Sequence, residues 1–119
     1  MSMIRLALLL SLIAAPAQAA EMAFYMKNRS GAGVVVELSS RDRDKVWPGG
    51  GQMYFLDAGE KISVPVECRT GETICYGAWI DGDAATQWGV GPDRVLPSDC
   101  EYCCAVCRAD ATAVVSINP

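Results

Sequence analysis

The sequence predicts an all-β domain, a small disulfide-stapled β-sandwich or partly open barrel of about seven short strands with little helix. Three observations carry that prediction. Apolar residues alternate with polar ones in short runs, and Gly, Pro, Asn and Asp interrupt those runs every ~8–12 residues. Six cysteines, four of them inside Cys100–Cys107, stand in a short chain that opens with an export leader. Beyond the leader no stretch sustains a period of 3.6 between helix caps.

The leader is residues 1–19. Arg5 supplies a positive charge, Leu6 to Ala15 form an apolar run, and Ala17-Gln18-Ala19 is a small-x-small cleavage site, so a secretory signal peptide cut after Ala19 is expected. The apolar run is well short of the ~20 residues that span a bilayer, which argues against a membrane anchor in the mature chain. Residues 20–119 then form a single exported domain of a size that supports one core.

The first strand is expected at Met22–Lys27, where Met22, Phe24 and Met26 alternate with Ala23, Tyr25 and Lys27. Asn28-Arg29-Ser30-Gly31 supplies turn chemistry and also spells a glycosylation sequon; it is read as a turn. Val34 to Leu38, with three consecutive valines, suits a half-buried pleated surface. The charged run Arg41-Asp42-Arg43-Asp44-Lys45 reads as a solvated loop or strand end. Trp47-Pro48-Gly49-Gly50-Gly51 breaks regular structure, with Trp47 expected to pack over the turn.

Gln52 to Leu56 is the next strand candidate, followed by the turn Asp57-Ala58-Gly59-Glu60. Lys61–Glu67 is the cleanest strand: Ile62, Val64 and Val66 share a face that continues to Cys68, while Pro65 on the other face lacks an N–H and points to a sheet edge or bulge. After the turn Arg69-Thr70-Gly71-Glu72, Thr73 to Ile80 is read as the returning strand of a hairpin flanked by Cys68 and Cys75. Asp81-Gly82 is a strong hairpin signal before Gln87–Val90. Gly91 to Asp99 reads as a loop, and Ala111 to Ile117 closes the chain as a strand with Val115 and Ile117 on one face.

Several function classes fall on composition alone. The net charge of −4 moves to −5 when Arg5 leaves with the leader, so nucleic acid and anionic membrane surfaces are poor partners. Histidine is absent. That removes Ser-His-Asp and Cys-His catalysis, His-ligated zinc and blue copper, so a non-enzymatic protein without a cofactor is expected.

Cys68, Cys75, Cys100, Cys103, Cys104 and Cys107 read as a disulfide framework, since the count is even and the compartment oxidising. Fifteen pairings are possible. In an extended segment neighbouring side chains point to opposite sides, so Cys103 and Cys104 are expected to reach different partners. The loop-entropy model gives about 4 kcal/mol to a bridge spanning ~35 residues against about 2 for one spanning four. At least one bridge from the cluster back to Cys68 or Cys75 is therefore expected. The alternative is a thiolate site for Cu(I) or Zn built from Cys100, Cys103, Cys104 and Cys107, although its two C-x-x-C units abut rather than come from separate strands. A thiol-disulfide oxidoreductase is the third reading, and it lacks the helix N-terminus and βαβ pattern that activate such a thiol.

Tyr76, Trp79 and Trp88 flank the Asp81-Gly82-Asp83 turn and are the candidate ligand-binding residues, with Trp79 and Trp88 expected to pair across the hairpin. Core packing is the competing role for such aromatics. Ile74-Cys75-Tyr76-Gly77-Ala78-Trp79, Trp88-Gly89-Val90-Gly91 and the C-x-x-C-C-x-x-C segment together resemble a set of small, uncharacterised exported bacterial proteins that share these three stretches, and Trp47-Pro48-Gly49 fits as well. The resemblance implies export and a compact cysteine-linked fold, and carries no activity. The resulting expectation is a periplasmic or secreted binding module whose partner is a protein or a cell-envelope carbohydrate.

Overall fold

The computed structural model describes residues 18–119. The expected signal peptide lies, up to residue 17, outside the described residues. Nine strands follow one another: β1 (Ala19–Asn28), β2 (Val34–Ser40), β3 (Val46–Trp47), β4 (Tyr54–Leu56), β5 (Lys61–Arg69), β6 (Thr73–Ile80), β7 (Asp83–Gly89), β8 (Cys104–Val106) and β9 (Thr112–Ile117). No helix occurs among the described residues.

The strands make two sheets that face each other as a sandwich. One has the order β5-β1-β9, with β1 and β9 parallel. The other has the order β3-β2-β6-β7, with β4 also pairing β2 and β8 also pairing β6. Alternation decides which residues meet between them. Met22, Phe24 and Met26 of β1, Val66 and Cys68 of β5, and Val115 and Ile117 of β9 point inward against Val34, Val36, Leu38, Ile74 and Ala78 of the larger sheet. Burying each of the larger apolar side chains stabilises by about 1.5–3 kcal/mol. Pro65 faces outward on β5, an edge strand, where its missing N–H disturbs no outer ladder.

Two indoles tie the sheets together at opposite sides of the sandwich. Trp47 of β3 donates its Nε1–H to the Glu67 carbonyl of β5 at 3.0 Å, and Trp88 of β7 donates to the Asn118 carbonyl just beyond β9 at 2.7 Å. The turn after β1 is closed by Asn28, whose amide nitrogen donates to the carbonyls of Ala32, Asp57 and Leu56 at 2.8, 3.0 and 3.2 Å. Its Oδ1 accepts from Ser30 N and Oγ. The sequon asparagine is thus a buried turn anchor.

The turn between β5 and β6 corrects one expectation. These strands do not form a hairpin: β5 pairs with β1 and β6 with β2, so Arg69–Glu72 is a corner that carries the chain from one sheet to the other. Buried Glu72 holds that corner. It accepts from Arg69 N at 3.0 Å, Ser40 Oγ at 2.6 Å, and Arg43 Nε and Nη2 at 2.5 and 3.0 Å. Arg43 foremost, with Arg69 N and Ser40, brings its carboxyl down from 4.5 to about 2 against the opposing effect of burial. Part of the charged run is therefore structural, since Arg43 is spent on Glu72 and Asp42 accepts from Thr73 N at 2.7 Å.

The Asp81-Gly82 turn joins β6 to β7 as the dipeptide predicts, with Gly82 at φ +84°. A register shift between Trp79 and Ile80 then sets Trp88 opposite Ala78 and Trp79 opposite Gln87. The expected Trp79–Trp88 cross-strand pair does not form.

Candidate functional site

The six cysteines form three disulfides, Cys68–Cys107, Cys75–Cys104 and Cys100–Cys103. Cys68–Cys107 links β5 in one sheet to the residue following β8 in the other, inside the core. Cys75–Cys104 joins residues directly opposite each other in the β6–β8 ladder. Adjacent Cys103 and Cys104 do reach different partners, and two bridges run from the cluster back along the chain, separations of 39 and 29 residues. Three disulfides in a domain this small belong to an oxidising environment. With no free cysteine left, the four-thiolate arrangement weighed from the sequence applies only to a reduced chain, and among the described residues no cluster of His, Cys, Asp and Glu is arranged to hold a metal ion.

The candidate aromatic residues do not share one surface. Tyr76 and Trp88 lie on the inward side of the larger sheet and pack at the margin of the core, whereas Trp79 points to the outer face beside Val35 and Gln87. Alternation along β6 separates Tyr76 from Trp79, because residues three apart in a strand face opposite ways.

The segment after β7 turns back over the outer face of that sheet. Gly77 has no side chain there, and the backbone of Gly91 occupies the space: a Cβ on Gly77 would lie 3.1 Å from both Gly91 N and Gly91 C, and closer to its oxygen. The stretches around Gly77 and around Gly91 thus meet backbone to backbone. Arg94 continues the crossing and pairs through Nε with buried Glu37 at 2.7 Å, while Arg41 Nη1 donates to the Arg94 carbonyl at 2.8 Å. The loop is pinned at both ends, by Gly91 against the sheet and by Cys103, whose carbonyl accepts from Tyr76 N at 2.9 Å.

Between that pinned loop and β9 runs an open groove of about 510 Å³, lined by Tyr76, Tyr102, Val114, Ser116 and Asn118 and rimmed by Asp99 and Glu101. A smaller hollow of about 200 Å³, floored by Phe24 and Val115, shares Tyr76, Tyr102 and Val114 with it. No basic side chain lines either. Half-burial pushes the Tyr76 phenol above the ordinary tyrosine range, so it stays protonated at neutral pH, and its hydroxyl has no hydrogen-bond partner among the described residues. Tyr102 stands 84% exposed between the two cysteines of the four-residue ring.

Tyr102 and Val114 escape a reading based on aromatic clusters around turns. The signal for Tyr102 is its place between Cys100 and Cys103: a ring so short leaves an intervening side chain little choice but to point out. A second groove of about 510 Å³ follows the opposite seam, where Arg43 and Lys45 sit 5.9 and 5.8 Å from the Trp47 ring centre. Arg43 is committed to Glu72. That groove holds one carboxylate, Glu67, among its basic groups and is of mixed charge.

Comparison with protein-family models, curated proteins and solved structures found no match to this chain.

Proposed function

We propose that the protein is an exported, disulfide-locked binding module that acts in the periplasm or outside the cell, and that its contact site is the Tyr76–Tyr102 groove. The observation that carries this reading is Tyr102, an aromatic ring left 84% exposed on a loop whose ends are covalently joined. Exposing a large aromatic side chain gains nothing for folding, and fixing it in place lowers the entropy lost when a partner covers it. Export is supported by the leader at residues 1–19 and by the three disulfides. The missing histidines and paired cysteines remove His-assisted and thiolate catalysis from the groove, which favours binding.

The test probes the oxidised protein in parallel with a displayed library of short peptides and an array of envelope polysaccharides, using wild type and Tyr102→Ala. Binders whose capture is lost with Tyr102→Ala, at unchanged melting temperature, are expected. Binding wholly indifferent to Tyr102, or no binder on either surface, overturns the assignment.

A further inference from the structure

The occupant of this groove follows from the strand that forms its wall. In the parallel β1–β9 ladder, Ala23 N bonds to Ala111 O and Arg29 N to Ile117 O, which fixes the odd-numbered residues of β9 as the ones whose N–H and C=O groups point toward β1. The N–H and C=O groups of Thr112, Val114 and Ser116 consequently point the other way, to the open edge of the sheet, where Val114 and Ser116 line the groove, and β9 has no second strand partner among the described residues.

Free sheet edges in monomeric proteins are normally guarded by charge, by proline or by brevity. Most of the other edge strands here obey that rule, and β7 (Asp83–Gly89), seven residues long, has Asp83 as its one charge. β5 carries Lys61, Pro65, Glu67 and Arg69, while β3, β4 and β8 are two or three residues long. β9, Thr-Ala-Val-Val-Ser-Ile, has neither a charge nor a proline and is six residues long. Its Val114 is 56% exposed.

We propose that this groove takes an extended peptide segment of another protein, which adds to β9 as a fourth strand of the smaller sheet and sets a Lys or Arg against Asp99 and Glu101. This deepens the binding-module reading and depends on it. Backbone pairing with the outward groups at Thr112, Val114 and Ser116 supplies affinity, the apolar surface of Tyr76 and Tyr102 takes alternate side chains, and the acidic rim selects basic ones. An envelope carbohydrate offers no regular series of amide donors and carbonyl acceptors to match a strand edge. A second copy of this chain would bring another Asp99–Glu101 rim to the same seam, placing like charges together.

The deciding variant is Val114→Pro. The Val114 N–H points away from β1, so proline at this position removes an outward donor while keeping the β1–β9 ladder. Peptides selected on wild type are expected to be rich in β-branched and basic residues, and to bind Val114→Pro about tenfold more weakly, the loss that one backbone hydrogen bond implies. Asp99→Asn with Glu101→Gln is expected to weaken them and flatten their salt dependence. Slowed amide hydrogen exchange at Val114 and Ser116 in the wild-type complex is the direct sign of strand addition. If Tyr102→Ala abolishes binding while Val114→Pro leaves it intact, strand pairing is wrong and the groove remains a binding site. If neither variant matters, both readings fall. Concentration-dependent self-association that Val114→Pro removes would assign β9 to a second copy and overturn the peptide.

Discussion

Gly77→Ala puts one methyl group where the backbone of Gly91 already lies. The new carbon would sit 3.1 Å from Gly91 N and C and nearer its oxygen, against ~3.5–4.0 Å for a comfortable contact, so the crossing loop must lift by about 1 Å. Overpacking of that size destabilises by about 1–3 kcal/mol. The lift also stretches the Arg94–Glu37 pair from 2.7 Å, weakening a charged hydrogen bond to a buried carboxylate by about 1–2 kcal/mol. The smaller unfolded-state entropy of alanine returns ~0.4–1 kcal/mol. The net is about 3 kcal/mol, which for a domain of ~100 residues lowers the melting temperature by roughly 10–20 °C. The assay is calorimetry with the disulfides intact, paired with backbone amide shifts for residues 90–103. Gly31→Ala is the control, since nothing stands within 4 Å of its Cβ position. A Gly77→Ala protein that melts with the Gly31→Ala control and keeps the wild-type shifts would refute the packing account.

Acid should weaken the β5–β6 corner in a defined window. Because Glu72 titrates at about 2 in the folded protein instead of 4.5, its contribution is whole above the unfolded value and is lost as pH falls through the folded one. Allowing for solvent at Arg43, that contribution is about 2 kcal/mol, so Glu72→Gln is expected to separate from wild type in urea midpoints at neutral pH and to converge with it near pH ~2. A constant separation across that range would rule the carboxylate out as the titrating group. Removing bridges pairwise to serine should rank them by loop length: about 3.5 kcal/mol for Cys75–Cys104 and about 2 for Cys100–Cys103, the latter also abolishing Tyr102-dependent binding. Unfolding midpoints check the order, and a larger loss for the four-residue ring would contradict it.

Legibility in the sequence tracked how local the deciding physics is. The alternation in β1, β5 and β9 gave their inward faces directly, and Pro65 gave the edge, because both depend on residues within one strand. The Asp81-Gly82 hairpin was equally local. The Arg69–Glu72 corner was misread because turn-forming residues do not reveal which sheet the chain joins next; that is decided by Glu72 and its contacts with Ser40 and Arg43, some thirty residues away in sequence. Trp79 and Trp88 missed each other because Trp88 stands opposite Ala78, which puts the two indoles on opposite faces of the sheet. β3 is too short to show a period, whereas β4 falls within the strand expected at Gln52 to Leu56. The parallel pairing of β1 with β9 joins the two ends of the domain. Neither it nor the edge it leaves open has a local signature, and so the groove beside Tyr102 was out of reach even though every cysteine that frames it was in view.

The two long bridges are nested, Cys75–Cys104 lying inside Cys68–Cys107, and the exposed Arg94-Val95-Leu96 stretch lies within both loops. A protease that cuts there separates no mass from the protein. It leaves two chains fastened at two points, heavier by one water, with β1 through β7 on one and β8 and β9 on the other. A cut at this exposed stretch would therefore be survivable: the nicked form would run as one species until reduced, and would keep β9 and the groove beside it in place.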